Sequence, residues 1–273
     1  MVIDKFRTWN RRRIQRYRLT KPVQDTPYGF KFSGLPSMLD GTYEADEFAT
    51  INRLFKHVDI FVEAGAHYGF YVCAAQKQNV SVLAFEPVAA NVAMISKNLA
   101  ANGWGEDVVI LPVATGYDRG FFNIRGGGSG GTLAEGYSSA PESQLQMVPV
   151  VRLDDVVHLH GRKALILMDV EGFELNTLRG AERLIASDPK PIFVVEVFLE
   201  EIGTAERAFR EDYLKVFDMM TSAGYQVYHF EDGIELMDVE EIRAKFEARD
   251  PSTPSGNFVF AAPEDAALLT QES

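Results

Sequence analysis

The chain has 273 residues, which suits one large domain or one domain with an extension. Apolar residues make up 46% of it and its formal charge is −12, so we expect a buried core and exclude a general nucleic-acid binder, which would need a basic surface. The single cysteine, Cys73, excludes an intrachain disulfide, and because the sequence shows neither a membrane-length apolar stretch nor a secretory signal, we expect a cytoplasmic protein.

Positive charge is concentrated in the first 22 residues, which carry eight Lys or Arg and one acid, Asp4. We interpret residues 1–22 as a basic N-terminal arm and residues 23–273 as the main domain. The arm is either a solvated helix or tail, or a contact for an anionic partner such as a membrane surface or a polyanionic acceptor.

Strand and helix patterns alternate along the rest of the chain, after a stretch rich in Pro and Gly at 23–42. Short apolar runs predict strands, and apolar residues at helical spacing predict helices. The predicted strands are 60–62, 80–85, 108–113, 165–168, 192–197, 226–230 and 258–261, and the predicted helices are 44–55, 70–76, 91–101, 175–185 and 213–223. This order predicts an α/β fold with a doubly wound, mostly parallel, Rossmann-like sheet covered by helices on both faces.

An insertion at 114–163 separates the third and fourth predicted strands and is too long for an ordinary loop. It contains a glycine run at 126–131 and a probable strand at 147–151. The glycine run fits equally a mobile lid close to the ligand and a plain flexible linker.

A glycine turn follows the first predicted strand, where Gly65 and Gly69 allow a tight turn and a close approach of a ligand to the backbone. Open α/β sheets bind nucleotides at this place. Glu86 ends the next strand, 21 residues after Gly65, and is placed to hold a ribose diol. The dinucleotide fingerprint G-x-G-x-x-G is interrupted by His67, and the phosphate-binding P-loop motif is absent.

An acidic cluster follows the fourth predicted strand in the segment Asp169-Val170-Glu171-Gly172-Phe173-Glu174. Desolvated carboxylates repel one another, so such a cluster is typical of a site for a cation, a metal or an acceptor hydroxyl. The alternative is structural, since Asp169 or Glu171 could cap the helix that follows.

The motifs together resemble the FkbM-type methyltransferases in order and spacing, over roughly residues 44–262. The resemblance rests on Val62 to Gly69, Phe85-Glu86-Pro87, Val151 to Asp155, Met168 to Glu174, Leu178 to Ala181 and Val195-Glu196. It implies a class I, S-adenosylmethionine (SAM)-dependent fold and transfer of a methyl group to a hydroxyl. Macrolides and sugars, often in surface glycans, are acceptors in that family.

We therefore expect the glycine turn and nearby strand ends to bind SAM. The expected contacts are Glu63, Gly65, Ala66, Gly69, Glu86, Ala114 and Asp169. Asp169 is the first candidate for the group that assists proton removal from the acceptor, and Glu196 is the second, because both follow predicted strands on the ligand side of the sheet. His67 is a further catalytic candidate, through a contact with the cofactor or the substrate, or is simply the start of a helix. A divalent metal such as Mg²⁺ or Mn²⁺ stays open.

Three positions depart from the family pattern. Glu63 stands where relatives usually have Asp, His67 where they often have Asn, and Leu167 where they usually have Lys. If that Lys assists catalysis in relatives, this chain does without it or supplies a substitute. Outside the motifs, we expect Cys73 to be a core residue, and His158 and His160 to be surface residues rather than metal ligands.

Two other functional classes remain open at this point. One is a non-catalytic SAM-fold module that scaffolds a glycan-assembly complex, and the other is an NAD-dependent sugar enzyme, which lacks its glycine fingerprint here. The expected partner is a small-molecule or glycan acceptor, without nucleic acid, and a homo-oligomer is possible.

Overall fold

The computed structural model describes residues 19–124, 133, 146–200, 210, 212–231 and 233–270. The basic arm up to residue 18 and the glycine run at 126–131 lie outside them. The strands are β1 Gln24–Asp25, β2 Lys31–Phe32, β3 Ile60–Ala64, β4 Ser81–Phe85, β5 Val108–Leu111, β6 Ala114–Thr115, β7 Gly120–Ile124, β8 Gln146–Val151, β9 Ala164–Met168, β10 Ile192–Val197, β11 Gln226–Glu231, β12 Gly233–Leu236 and β13 Gly256–Ala261. The helices are α1 Pro36–Asp40, α2 Ala45–Leu54, α3 Phe70–Lys77, α4 Ala89–Asn102, α5 Leu153–Val156, α6 Glu174–Arg179, α7 Glu182–Ile185, α8 Tyr213–Ser222, α9 Val239–Glu247 and α10 Ala266–Thr270, with short 3₁₀ turns at Phe55–His57 and Pro263–Asp265.

The central sheet has eight strands in the order β12-β11-β13-β10-β9-β3-β4-β5. The strands from β10 to β5 run parallel, whereas β13, β11 and β12 are joined by antiparallel pairing. The strand order reverses around β3, which lies between β4 and β9. The predicted doubly wound, mostly parallel sheet is confirmed, with an antiparallel extension at one edge.

Two hydrophobic clusters cover the two faces of this sheet, and β9 contributes to both by strict alternation. Leu165 and Leu167 pack on one face with residues of α3 and α4. Ile166 and Met168 pack on the other face with residues of α6, α7 and α8. The continuous apolar run of β9 is therefore the pattern of a strand buried on both sides.

The predicted strands and helices are present, with one correction. The single helix predicted over 175–185 is two short helices, α6 and α7, separated at Gly180 and Ala181. A Cβ on Gly180 would lie 2.5 Å from the carbonyl oxygen of Gly116, and the Gly180 carbonyl accepts a hydrogen bond from the amide of Asp154. The insertion thus packs against this point of the chain and interrupts the helix.

The segments before the sheet and within the insertion pack onto this core. Phe30 and Phe32 are buried in the α3–α4 cluster, and Asn98 holds Ser33 through both the amide and the carbonyl of its backbone. The end of the basic arm reaches the same surface, where Lys97 donates to the carbonyl of Leu19 at 3.0 Å. In the insertion, β6, β8 and β7 form a small sheet of their own, which includes the predicted strand at 147–151.

The end of β3 and the end of β9 are in close contact at Gly65. This residue has φ +94°, and a Cβ built on it would lie 1.8 Å from the carbonyl oxygen of Asp169. The Asp169 amide donates to the Ala64 carbonyl at 3.0 Å, so the backbone pairing of the two strands continues to the point of contact. Only glycine fits this place without moving Asp169.

We predict that Gly65→Ala destabilises the protein by about 2–5 kcal/mol, because left-handed strain adds to a backbone clash. Gly103→Ala is the matched control, since Gly103 also has a left-handed backbone, φ +72°, with no atom within 4 Å of its Cβ position. It should cost only about 1–2 kcal/mol. Urea unfolding of both variants measures the difference, and equal losses would contradict the close contact.

Candidate active site

A cavity of about 280 Å³ opens where the strand order reverses, at the carboxyl ends of β3, β4, β9 and β10. Residues of α1, α2 and the glycine turn complete its wall. Seven carboxylic acids line it, and no Lys or Arg is among its described lining residues. The seven acids are Glu44, Glu47, Glu63, Glu86, Asp169, Glu171 and Glu196. The cavity is therefore built for a positively charged or hydrogen-bond-donating ligand.

Glu86 connects the glycine turn to the loop that follows β4. Its Oε2 accepts a hydrogen bond from the His67 amide at 2.8 Å, and its Oε1 accepts one from the Val88 amide at 2.7 Å. Burial raises the pKa of Glu86 to about 7 against the opposing effect of these hydrogen bonds. The sequence predicted Glu86 only as a ligand contact, whereas the carboxylate also fixes the backbone on both sides of the cavity.

Glu63, at the end of β3, is almost fully buried, with 3% of its surface exposed. Its Oε2 has no hydrogen-bond partner among the described residues. Burial raises its pKa well above the ordinary value, and the nearby charge of Asp169 adds to this effect. A cationic group in the cavity would stabilise the charged form of this carboxyl. The residue therefore fits a cationic group of a ligand in the cavity.

Asp169 and Glu196, at the ends of the neighbouring strands β9 and β10, form a carboxyl pair, because their side chains lie within hydrogen-bonding reach of each other. Burial raises the pKa of both groups, and the charge of Asp169 contributes to raising the pKa of Glu196 to about 11. Within the pair the proton therefore favours Glu196, because the contact with Glu196 opposes the rise in the pKa of Asp169. The Oδ1 of Asp169 is buried and has no hydrogen-bond partner among the described residues.

The helix-cap alternative for the acidic cluster is wrong for both residues that the sequence left open. Phe173 occupies the N-cap of α6, and no side chain caps that helix. Glu174 instead accepts a hydrogen bond from the Gly172 amide at 2.7 Å and forms a buried ion pair with Arg210 at 3.3 Å. Glu171 has φ +53° and lines the cavity, and burial raises its pKa to about 7.

A further polar group in the cavity escaped the sequence analysis. The Tyr71 hydroxyl donates to Glu44 Oε2 at 2.8 Å and lies 3.3 Å from Glu47 Oε1. Asn257 Nδ2 donates to the other oxygen of Glu47. Burial raises the pKa of Glu47 to about 8, and the charge of Glu44 adds to this effect. The sequence predicted only a helix over 44–55, and the i, i+3 spacing of the two acids was the one signal for a shared face.

The remaining predicted site residues divide into two sets. Ala66, His67 and Ala114 line the cavity, and His67 stacks on Tyr68 with 3.7 Å between the ring centroids. Gly69 is not among the lining residues; it begins α3 with φ +76° and packs against Ile95.

Leu167, at the position where relatives usually have Lys, lines the cavity and is 5% exposed. Its side chain gives the wall an apolar patch beside the carboxylates.

Cys73, His158 and His160 lie where the sequence predicted them, in the core and at the surface. Cys73 is buried in α3, and burial raises the pKa of its thiol. His158 and His160 are exposed, with ring centroids 6.0 Å apart. The described part of the chain contains no group of three or more His, Cys, Asp or Glu arranged to hold a metal ion. None of the described helices combines the length and the apolar character that crossing a bilayer requires.

We predict that the buried acids make the ligand-free protein less stable as pH rises. Glu47, with a pKa raised to about 8 in the folded state, binds its proton more tightly there than in the unfolded chain. Its contribution is present at low pH and is lost as pH rises toward 8, with a maximal slope of about 1.4 kcal/mol per pH unit. In urea unfolding from pH 5 to pH 8.5, Glu47→Gln should flatten this decline.

Asp46→Asn is the matched control, because Asp46 is exposed on the same helix and the substitution changes the net charge equally. It should leave the slope unchanged. If both variants flatten the decline to the same degree, the effect comes from overall charge and not from the cavity.

Comparison with known proteins assigns this site to a family. Residues 63–227, more than half of the chain, match the model of the methyltransferase FkbM domain. No curated protein matches the chain significantly.

Similar solved structures include two methyltransferases. One is the precorrin-6y C5,15-methyltransferase from Geobacter metallireducens GS-15, with 14% identity, coverage of 85% of this chain and 94% of that chain, and a TM-score of 0.43. The other is the ribosomal protein L11 methylase from Lactobacillus delbrueckii subsp. bulgaricus, with 11% identity, coverage of 82% and 79%, and a TM-score of 0.40. Neither likeness bears on the acceptor of this chain.

The matched region begins at Glu63 and includes the glycine turn, Glu86, Asp169 and Glu196. The fold is the Rossmann-like fold of class I SAM-dependent methyltransferases, and the NAD-dependent alternative is wrong. The chain belongs to the FkbM methyltransferase family.

Proposed function

We propose that the protein is an O-methyltransferase, which uses SAM to methylate a hydroxyl of a sugar, glycan or polyketide-type acceptor. The observation that carries this proposal is the half-buried carboxyl pair of Asp169 and Glu196 beside the glycine turn. A hydroxyl is a weak nucleophile and gains from a base that takes its proton. The pair places the carboxyl group of Asp169 in a desolvated part of the cavity for this task.

The residues at the ends of β3 and β4 fit SAM. Glu63, with its unpartnered buried oxygen, suits the ammonium group, and Glu86 suits the ribose hydroxyls. Gly65, Ala66 and Ala114 offer small surfaces in the cavity against which a nucleoside can lie. When bound, SAM supplies a methyl group already activated on a cationic sulfonium.

Within the carboxyl pair, the two residues take different parts. Asp169 accepts a hydrogen bond from the acceptor hydroxyl through its buried Oδ1 and then takes the proton. Glu196 is a positioning residue, because its hydrogen bond holds the other side of the Asp169 carboxylate and keeps it ionised. The backbone contact at Gly65 fixes the distance between the carboxyl pair and the glycine turn.

Apolar residues complete the site and limit the access of water. Leu35 and Met38 line the cavity from the region of α1, Phe70 lines it from α3, and Leu167 lines it from β9. In such surroundings a carboxylate acts as a stronger base than it does in water, because its charged form is less well solvated. We further propose that residues 1–22 contact an anionic surface or a polyanionic acceptor, as their charge predicts.

We predict that Asp169→Asn lowers turnover by about 10²–10⁴-fold, the usual size of a general-base contribution, and leaves SAM affinity within a few-fold. Single-turnover methyl transfer and calorimetric SAM titration measure the two quantities. Glu196→Gln is the informative partner variant, since its amide also donates a hydrogen bond to Asp169; it should retain turnover within about tenfold, whereas Glu196→Ala should lose more. Near-normal turnover of Asp169→Asn on the true acceptor would overturn the assignment of the base.

Glu86→Ala should reduce SAM affinity at least tenfold, because hydrogen bonds to a charged acceptor contribute roughly 1.5–3 kcal/mol each. The same change also frees the His67 and Val88 amides, so urea unfolding of the ligand-free variant must accompany calorimetry. Glu86→Gln retains one acceptor oxygen, so its stability should lie between that of the unsubstituted protein and that of Glu86→Ala. Unchanged SAM affinity in a folded Glu86→Ala protein would exclude the ribose contact.

A further inference from the structure

The polar group formed by Glu44, Glu47, Tyr71 and Asn257 has no part in the methyl transfer proposed above. It lies in the same cavity as the carboxyl pair. Glu44 is exposed, whereas Glu47 is buried with 7% of its surface accessible. One acid of the group is therefore open to an arriving ligand, and the other lies deeper in the wall.

The internal hydrogen bonds of this group do not require two carboxyl groups. Glu47 receives one hydrogen bond from Asn257 and lies within reach of the Tyr71 hydroxyl, which donates to Glu44. A neutral glutamine at position 47 would also accept hydrogen bonds, without the cost of burying a carboxylate. Retaining an acid there is favourable when a cation binds beside it.

No Lys or Arg among the described lining residues of the cavity compensates these acids. SAM carries two positive groups and a carboxylate of its own, and Glu63 is placed for its ammonium group. The negative charges of Glu44 and Asp169 both raise the pKa of Glu63, so these acids lie close enough to repel one another. Two buried oxygens in the cavity, Glu63 Oε2 and Asp169 Oδ1, have no hydrogen-bond partner among the described residues.

We propose that the acceptor carries a protonated amine as well as the hydroxyl to be methylated, and that Glu44 and Glu47 bind this amine. The acceptor class is then an amino sugar or another aminated alcohol, not a phosphorylated or carboxylated one. This inference rests on the proposed O-methyl transfer, because the acceptor hydroxyl must lie at Asp169 while its amine lies beside Glu44 and Glu47. The amine sets the orientation of the acceptor before proton removal.

The test uses the protein loaded with S-adenosylhomocysteine and compares glucosamine with glucose, two sugars that differ in one amine. Binding is followed by NMR titration of the protein at pH 7. Glucosamine should bind at least tenfold more tightly than glucose, and N-acetylglucosamine, which has lost the charge, should bind like glucose. Equal binding of all three sugars, or binding of none, overturns the inference.

Two variants and a control locate the effect. Glu47→Gln should abolish the preference for glucosamine, and Glu44→Gln, at an exposed position that a folded protein tolerates, should reduce it in the same direction. Asp46→Asn, an exposed acid on the same helix, should keep the full preference. If both glutamine variants still prefer glucosamine, the assignment of the amine to Glu44 and Glu47 is overturned.

The affinity for S-adenosylhomocysteine shows whether Glu44 and Glu47 bind the ammonium group of the acceptor or that of the cofactor. It should stay within a few-fold in Glu47→Gln; a loss above tenfold would assign the acid pair to the cofactor and overturn the inference. If the unsubstituted protein binds S-adenosylhomocysteine but shows no preference for the amine, the inference fails and the proposed O-methyl transfer stands. If it binds no S-adenosylhomocysteine, both fail.

Discussion

The contact between Gly65 and the carbonyl oxygen of Asp169 determines the geometry of the whole site. The two residues follow β3 and β9, which are 100 residues apart in the chain but adjacent in the sheet. With 1.8 Å between the carbonyl oxygen and the position of a Cβ on Gly65, the two backbones meet with no side chain between them. The turn suited to the cofactor and the carboxylate suited to the acceptor are thereby brought together by main-chain atoms, which move less than side chains do.

The same contact concentrates acids in a small volume, and this has an energetic consequence. Each buried carboxyl in the cavity loses solvation, and its neighbours raise its pKa further, as for Glu63. The ligand-free protein therefore keeps some of these groups protonated at a cost in stability. A cationic ligand reverses this cost, since it favours the charged forms that repel one another in its absence. The affinity of the site for cations and the instability of the empty cavity have one physical origin.

Much of this arrangement could be predicted from the sequence, because the signals are local. The apolar runs of β3, β4, β9 and β10 ended at residues that strand geometry places on one edge of the sheet, which located Glu63, Glu86 and Asp169. The pairing of Asp169 with Glu196 was not predictable, although both residues were candidates, because it depends on the register of two neighbouring strands. In the sequence analysis the two residues were alternative candidates for the same role, whereas in the structure they lie side by side.

The features that sequence reasoning missed depend on contacts between distant parts of the chain. Asn257 donates a hydrogen bond to Glu47, which lies 210 residues away in the chain. Asn257 belongs to β13, which pairs antiparallel with β10. No periodic pattern in either segment predicts that contact. The break between α6 and α7 has the same origin, because the carbonyl of Gly116 in the insertion occupies the space beside Gly180.

These long-range contacts shape the side of the cavity that we propose for the acceptor, the acceptor side, whereas the local motifs shape the side that we propose for the cofactor. The cofactor is common to the family, so a short, local pattern can identify its site. The acceptor side is assembled from α2, the glycine-turn helix α3 and the antiparallel strand β13, which bring Glu47, Tyr71 and Asn257 together. If this side binds the acceptor, as we propose, the choice of acceptor depends on the tertiary packing of this chain, and the charge and hydrogen bonding of that packing are the physical basis for inferring it.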